Sequence, residues 1–313
     1  MRITFLGTSS GVPTRSRNVS SLALRLPQRG EVWLFDCGEG TQHQIIRSDL
    51  SISRITRIFI THMHGDHVFG LMGLLATRGM AGAYLPVDIY APPEIEDYFI
   101  AATRYTRTQF SYPVTVHAVK QGVIFEDEDF IVDSLPLKHR ITSFGYRVTE
   151  KDFPGHFNPE KAAALGIPAG PLYGRLKRGE TIQLDDGREV SGAELCGPLQ
   201  PGRRIAYCTD TIYCDNSVKL AKNADLLIHE ATFSERDEDL AYRGLHSTTR
   251  MAAKVALEAN AKRLIITHFS PRYAMEASVT PEELLQEARA IFPATDMAHD
   301  FLTVDVARRN PPD

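Results

Sequence analysis

Apolar positions along the chain fall into short runs and alternations that read as strands, spaced by segments with helical periodicity. Residues 2–6, 21–26 and 32–36 predict a leading three-strand meander, followed by a helix over 41–47 and a strand over 57–61. The apolar run 71–76 reads as a helix and 87–91 as a strand, and a further helix opens after Pro92-Pro93 and runs towards Arg104. Strand signals return at 114–119, 130–135 and 143–149. The second half repeats the alternation, with strands at 204–208, 225–229 and 263–267 and helices near Val218, over 247–258 and over 281–290. Meanders and βα units in both halves predict an α/β protein of two sheets faced by helices, without a strict internal repeat.

Residues 150–192 break this rhythm with Pro154, Gly155, Pro159, Gly166, Pro168, Gly170, Pro171 and Gly174, a density typical of loops. Inside the block, Asn158, Pro159 and the run to Gly166 predict a compact capped helix, and Asp186-Gly187 predicts a hairpin. A long insertion in a compact domain is usually functional or disordered; the small internal elements favour a structured protrusion. Residues 170–179 read as a loop at its tip that gathers Tyr173, Arg175, Lys177 and Arg178. Taken alone, such a cluster is more often a solvated basic turn than a binding surface.

With 313 residues, 43% hydrophobic and 24% charged, the chain has the composition of an ordinary globular protein with a substantial core. No stretch approaches about 18 consecutive apolar residues, so no membrane span is expected. The start Met1-Arg2-Ile3-Thr4 lacks the apolar core of a secretory leader. The four cysteines, Cys37, Cys196, Cys208 and Cys214, form no CxxC pair. Idle thiols suit a reducing, cytoplasmic setting better than a secreted disulfide scaffold. The net charge of −4 argues against general nucleic-acid affinity and leaves room for a local basic patch.

Candidate chemistry concentrates at His62-Met63-His64-Gly65-Asp66-His67, directly after the apolar run Ile58-Phe59-Ile60. Lone loop histidines are mostly idle, but HxHxDH after a strand is a metal signature. Three imidazoles and a carboxylate are too many for one catalytic ion that keeps positions open, so two neighbouring ions are the simpler solution. His139, Asp210 and His268 each follow a later apolar stretch, as His62 does. A strand-terminal Asp210 can bridge two cations. The sets are then His62, His64, His139 and Asp210 for one ion, and Asp66, His67, Asp210 and His268 for the other. Zinc suits this mixture, and manganese can be accommodated. Two ions about 3.5–4 Å apart clamp a phosphodiester and activate water, with Asp66 as candidate general base. Asp36, at another strand end, could hold the outer nitrogen of a ligand histidine or be a plain turn carboxylate. His43, His117, His156 and His299 read as idle, and His229 as buried scaffold.

The order HxHxDH, His, Asp, His resembles the metallo-β-lactamase superfamily, which also includes lactamases, thioesterases and phosphodiesterases. Further signatures resemble its ribonuclease Z family, essentially end to end: Phe5-Leu6-Gly7-Thr8, Pro13-Thr14-Arg15-Ser16-Arg17-Asn18, Asp36-Cys37-Gly38-Glu39-Gly40-Thr41, His229-Glu230-Ala231-Thr232 and His246-Ser247-Thr248. The resemblance implies a single four-layer αββα sandwich domain over 1–313, with the site at one edge of the sheets and a protruding flexible arm at 150–192. It implies a zinc-dependent endoribonuclease, with two zinc ions per chain, that removes the 3′ trailer from precursor tRNA. The products would be a tRNA 3′-hydroxyl and a trailer 5′-phosphate. It also implies a homodimer, needing no other protein partner, in which the arm of one subunit grips the tRNA cut by the other. On the same ground, Tyr173, Arg175, Lys177 and Arg178 become tRNA contacts; Arg15, Arg17 and Asn18, in a loop after the first strand near the expected site edge, are candidates to touch the acceptor end or to steer where cutting occurs. His246 becomes phosphate contact and acid, with Glu230 as its orienter, a pairing that spacing alone would not suggest. Two other readings stand beside this one: a two-metal phosphodiesterase or general RNase for small substrates, and a non-catalytic RNA-binding subunit. The complete ligand set weighs against the latter.

Overall fold

The computed structural model describes residues 1–273 and 279–308. In chain order its strands begin with β1 (Arg2–Gly7), β2 (Ser21–Leu26), β3 (Glu31–Phe35), β4 (Ile55–Phe59), β5 (Val87–Ala91) and β6 (Val114–Ala118). Next come β7 (Gly122–Glu126), β8 (Phe130–Pro136), β9 (Phe144–Glu150), β10 (Thr181–Gln183) and β11 (Glu189–Ser191). The series ends with β12 (Arg204–Cys208), β13 (Leu226–Glu230), β14 (Leu264–Thr267), β15 (Thr295–Met297) and β16 (Thr303–Asp305). One seven-stranded sheet has the order β16-β1-β2-β3-β4-β5-β6, and a second the order β15-β14-β13-β12-β9-β8-β7. In the first, β1 to β3 pair antiparallel as the expected meander, then β3 to β6 pair parallel through helical crossovers.

Aromatic side chains fill the space between the two sheets. Phe35 stacks on Phe59 with centroids 4.9 Å apart, and Phe59 on Tyr90 at 5.0 Å. From the other sheet, Tyr146 meets Phe59 at 5.6 Å and Tyr207 meets Phe35 at 5.6 Å. The Tyr146 hydroxyl donates to the Ile60 carbonyl at 2.6 Å, so its one polar atom is satisfied inside this layer. Outside the first sheet, Ile45, Leu71, Leu74, Leu75 and Ile95 pack on Ile58 and Ile89. Outside the second, Leu227, Leu264 and Ile266 pack on Ala252, Ala253, Val255 and Ala256 of helix Thr249–Glu258. Alanine on that helix face lets it lie close to the sheet. The result is the αββα layering that the hydrophobic pattern and the family resemblance implied. Each fully buried large aliphatic or aromatic side chain contributes roughly 1.5–3 kcal/mol to it.

Element edges differ from expectation where caps decide them. Helix Thr249–Glu258 starts two residues later than predicted because the Thr248 side chain caps it, accepting from Met251 N. Thr280 and Glu283 form a reciprocal capping box on helix Pro281–Arg289. The strands β7, β15 and β16 and the helix Glu238–Gly244 were not anticipated.

Residues Asp127–Phe130, Thr149–Arg203 and those from Ala307 cluster as a second compact unit. Its small core joins Phe157, Ala162, Ile167, Leu176, Ile182, Val190 and Leu195. Asn158 caps helix Pro159–Ala164 by accepting from Lys161 N, and β10 pairs with β11 as the expected hairpin. Arg203 and Glu150 form a bidentate pair with two contacts of 2.7 Å. One expectation is corrected here: residues 171–177 are not a loop but the helix Pro171–Lys177. Pro171 at its first turn is preset for helix, and Leu172, Tyr173 and Leu176 supply an inward face. Among the described residues no helix is long and apolar enough to cross a membrane.

Candidate active site

The residues singled out for metal chemistry lie where strands end. After β4 the chain passes through Ile60 and Thr61 to His62, and His64 then begins the one-turn helix Gly65–Val68 that carries Asp66 and His67. His139 sits between β8 and β9, Asp210 two residues past β12, Glu230 at the end of β13 and His268 directly after β14. β12, β13 and β14 are parallel neighbours, so their carboxyl ends deliver these side chains to one edge. Asp36, Asp210, Leu245 and His268 all take positive φ, between 52° and 60°, a region costly for non-glycine residues. Gly38 is required by close approach: a Cβ there would stand 2.2 Å from the Asp66 carbonyl oxygen.

Two groups of donor atoms converge. The His64 Nδ1 lies 3.0 Å from His62 Nε2 and 3.3 Å from His139 Nε2, and Asp210 Oδ2 is 3.6 Å from His62 Nε2. On the other side, Asp210 Oδ1 is 3.3 Å from His67 Nε2 and 3.2 Å from His268 Nε2. Asp66 Oδ2 is 3.4 Å from His67 Nε2 and 3.7 Å from His268 Nε2. Within each of the sets His62, His64, His139, Asp210 and Asp66, His67, His268, the ligand atoms lie within 4.8 Å of one another. Asp210 thus turns one oxygen to each group. The Nε2 atoms of His67 and His268 are buried with no hydrogen-bond partner. Buried orphan nitrogens beside carboxylates fit divalent cations and are costly without them.

Burial and charge shape this site strongly. Burial, with the neighbouring imidazoles, drives His62 well below the usual imidazole range. Burial works against a charged His67 too, yet Asp210, Asp36 and Asp66 raise it well above that range. Asp66 and Asp210 resist the burial penalty and are held well below the carboxylate range by the surrounding imidazoles. His246 is pushed up to about 9 against its own burial, chiefly by the Glu230 carboxylate. Burial likewise disfavours a charged Glu230, but His246 holds it down.

Outer contacts fix the rings. Asp36 is fully buried and accepts from Thr61 N at 2.8 Å, His67 Nδ1 at 2.9 Å and the Tyr207 hydroxyl at 3.0 Å. It therefore holds the outer nitrogen of a ligand candidate rather than merely closing a turn. Glu230 accepts from His246 Nδ1 at 3.0 Å, Thr211 N at 2.6 Å, Ser247 N at 2.9 Å and Thr232 Oγ1 at 2.6 Å. His139 Nδ1 donates to the Leu245 carbonyl at 3.1 Å. Asp66 Oδ2 also accepts from Gly11 N at 2.8 Å, so the loop after β1 reaches the cluster through its backbone.

The other candidates divide. Arg15 is exposed, whereas Arg17 donates to Thr8 Oγ1 and the Ala298 carbonyl, both at 2.7 Å, and lies over the Phe269 ring. Asn18 donates from its side chain to the Glu39 carbonyl at 2.9 Å. Arg17 and Asn18 therefore brace this loop. Tyr173 is half-buried against Phe157, with its hydroxyl on the Ile167 carbonyl at 3.2 Å. Arg175 and Arg178 are exposed and share Glu180, and Lys177 lies over Phe157. His229 is buried in β13, with Nδ1 on the Glu230 carbonyl at 2.8 Å. Sequence reasoning missed Gly11, Thr61 and Thr232; the two threonines had one available signal, a hydroxyl residue beside a ligand or its orienter.

A four-layer sandwich with this His/Asp cluster defines a metal-dependent hydrolase of the metallo-β-lactamase superfamily. Residues 180–269 match the beta-lactamase superfamily domain family, and residues 1–151 match the family of the anti-Pycsar protein Apyc1. The chain is 66% identical over 309 residues to ribonuclease Z of Nostoc punctiforme, covering 99% of this chain and 97% of the relative. It is 64% identical over 310 residues to ribonuclease Z of Trichodesmium erythraeum, with the same coverage of 99% and 97%. The crystal structure of the short form of human tRNase Z superposes with a TM-score of 0.70 at 33% identity, covering 98% of this chain and 100% of that one. The chain belongs to the ribonuclease Z family, whose members are metal-dependent endoribonucleases.

Proposed function

We propose that this chain removes the 3′ trailer from precursor tRNA as a zinc-dependent endoribonuclease with two ions per chain, working in the cytoplasm as a homodimer without another protein partner. The observation that carries the reading is the doubled ligand cluster sharing Asp210 beside the Glu230–His246 pair, in a chain 64–66% identical to ribonuclease Z proteins. His62, His64, His139 and Asp210 would hold one cation, and Asp66, His67, Asp210 and His268 the other; manganese is the substitute the donor set tolerates. When bound, the cations supply charge neutralisation at the scissile phosphate and a lowered pKa for water.

Asp66 then takes the proton of the attacking water, a role supported by its second contact, the Gly11 amide, which holds the carboxylate in place. His246 contacts the phosphate and gives a proton to the leaving 3′-oxygen, with Glu230 holding its Nδ1–H. The P–O3′ bond breaks, so the products are a tRNA 3′-hydroxyl and a trailer 5′-phosphate. Arg15 is the exposed one of the loop's two arginines and contacts the acceptor end; Arg17 and Asn18 position that loop. The unit on Thr149–Arg203 serves as the arm, with Arg175, Lys177 and Arg178 on tRNA phosphates and Tyr173 packing beneath them. The homodimer is supported by exposed apolar side chains on elements that cover the first sheet, Ile46, Phe69, Met80, Tyr84, Ile100 and Tyr105.

The test is cleavage of one defined precursor tRNA, with and without an encoded CCA end, with both new ends mapped. The expected product is a single 3′-hydroxyl end at the tRNA boundary. Hydrolysis of small phosphodiesters with precursor tRNA left intact would favour the two-metal phosphodiesterase instead. Mixing an arm-deleted chain with an Asp66→Ala chain should restore partial activity if the arm acts across the dimer.

A further inference from the structure

Two of the ligand histidines, His62 and His268, have a hydroxyl on their outer nitrogen where His67 has a carboxylate and His139 a carbonyl. His62 Nδ1 meets the hydroxyl of Thr61 at 3.0 Å, and His268 Nδ1 meets the hydroxyl of Thr232 at 2.9 Å. Each hydroxyl in turn touches a buried carboxylate: Thr61 Oγ1 lies 3.0 Å from Asp36 Oδ1, and Thr232 Oγ1 lies 2.6 Å from Glu230 Oε2. Both threonines and both carboxylates are almost wholly inaccessible to water. The same carboxylates bind a second imidazole directly, Asp36 at His67 Nδ1 and Glu230 at His246 Nδ1.

A hydroxyl carries one proton, and an ionised carboxylate can only accept. The proton of Thr61 therefore goes to Asp36, and that of Thr232 to Glu230, in preference to the His268 carbonyl at 3.0 Å. With its proton committed, each hydroxyl can only accept from the imidazole. That forces the proton of His62 and of His268 onto Nδ1 and leaves a lone pair on Nε2. In both residues Nε2 is the atom that faces Asp210.

We propose that Thr61 and Thr232 are twin positioning residues, hydroxyl relays that impose the metal-binding tautomer on His62 and His268 from the buried carboxylates Asp36 and Glu230. The inference rests on the ligand assignment above and adds what selects the ligand state of one imidazole in each ion's set. The design is economical with buried charge, since one carboxylate governs two rings, one directly and one through a hydroxyl. At Glu230 the two governed rings are the ligand His268 and the acid His246, so Thr232 joins the metal set to the proton donor.

The experiment is zinc competition against a chromogenic chelator with wild type, Thr61→Val, Thr232→Val, the double variant, and Thr61→Ser and Thr232→Ser. Valine keeps the shape and removes the hydroxyl; serine restores it. Each single valine variant should show one of its two zinc-binding steps weakened about 10–100-fold, the range typical when the outer partner of a metal ligand is removed. The other step should stay at the wild-type value. The double variant should weaken both steps, and serine should recover the affinity. Melting of the zinc-free proteins separates this from a role in the fold, because the relay predicts an affinity loss larger than any fall in stability accounts for. Valine variants that bind both ions as wild type does would overturn the relay, as would loss of both steps together in each single variant. Wild type that binds no zinc would fell the metal assignment itself, a distinguishable result.

Discussion

Replacing Glu230 by glutamine tests the acid assignment while keeping the volume of the side chain. The carboxylate accepts from Thr211 N and His246 Nδ1 on Oε1, and from Ser247 N and Thr232 Oγ1 on Oε2. Glutamine offers one oxygen and one NH2. Whichever way the amide turns, the NH2 faces a backbone N–H that cannot move aside, Thr211 N in one orientation and Ser247 N in the other. One orphaned buried donor costs about 1–3 kcal/mol, and the charge-assisted character of the remaining bonds is lost as well, so roughly 3–5 kcal/mol in all is expected. Domains are typically stable by about 5–15 kcal/mol, so the variant should fold with a lowered urea midpoint.

The activity of that variant should fall further than its stability. In either amide orientation His246 loses the carboxylate charge that holds its Nδ1–H, and in one of them the accepting oxygen as well; general acid catalysis is worth about 10²–10⁴-fold. Single-turnover cleavage of precursor tRNA, under zinc saturation, should slow by that factor while tRNA affinity stays close to wild type. A substrate whose bridging 3′-oxygen is replaced by sulfur needs no proton on departure, and most of the loss should vanish on it. Equal losses on both substrates, with zinc content unchanged, would refute the role of His246 as acid and of Glu230 as its orienter.

Chelation should abolish cleavage and zinc restore it, with two equivalents retained by wild type; His62→Ala or His268→Ala should each deplete metal, and one tightly held ion at full activity would contradict the doubled cluster. Replacing Arg175, Lys177 and Arg178 together with alanine should weaken tRNA binding and flatten its salt dependence by roughly 0.7–0.9 for each phosphate no longer neutralised. A small chromogenic phosphodiester should be hydrolysed as before, and unchanged tRNA cleavage would dismiss the basic cluster. Glu150→Ala should destabilise its unit by about 3–5 kcal/mol, because it removes the carboxylate that makes both 2.7 Å contacts with the nearly buried Arg203 guanidinium, and urea unfolding with the midpoint unmoved would show the pair to be idle.

What was legible in the sequence follows from how many residues each signal spans. The parallel strands β5 and β12 were placed to the residue because a short, sharply bounded apolar run, Ile89 to Ala91 before Pro92 and Ile205 to Cys208, leaves little choice of boundary. β15 and β16 have three residues each, too few for alternation to register, and they become strands only because β14 and β1 offer free edges. The helix Pro171–Lys177 was hidden by its flanking glycines, although Pro171 and the spacing of Leu172, Tyr173 and Leu176 spelled it out. The packing of Tyr173 follows from the same helix, since a residue on a loop is free and the same residue on an inward helix face packs.

At the site, the candidate ligands were legible because metal binding demands rare residue types at strand ends, whatever lies between them. Their outer partners obey no such rule. Asp36 reaches His67 across 31 positions, and Glu230 reaches His246 across 16, so their pairing is a product of the fold. Thr61 lies one residue before His62 and Thr232 two after Glu230, a weak signal because threonine is common at and near strands. The loop after β1 shows the opposite failure. Its conspicuous side chains suggested contact with the acceptor end or a part in placing the cut, while the structure turns Arg17 inward onto Thr8, Ala298 and Phe269 and sends a backbone amide, Gly11 N, to Asp66. Side-chain type announces a ligand, but a backbone donor has no letter in the sequence, and only the folded path of the loop reveals it.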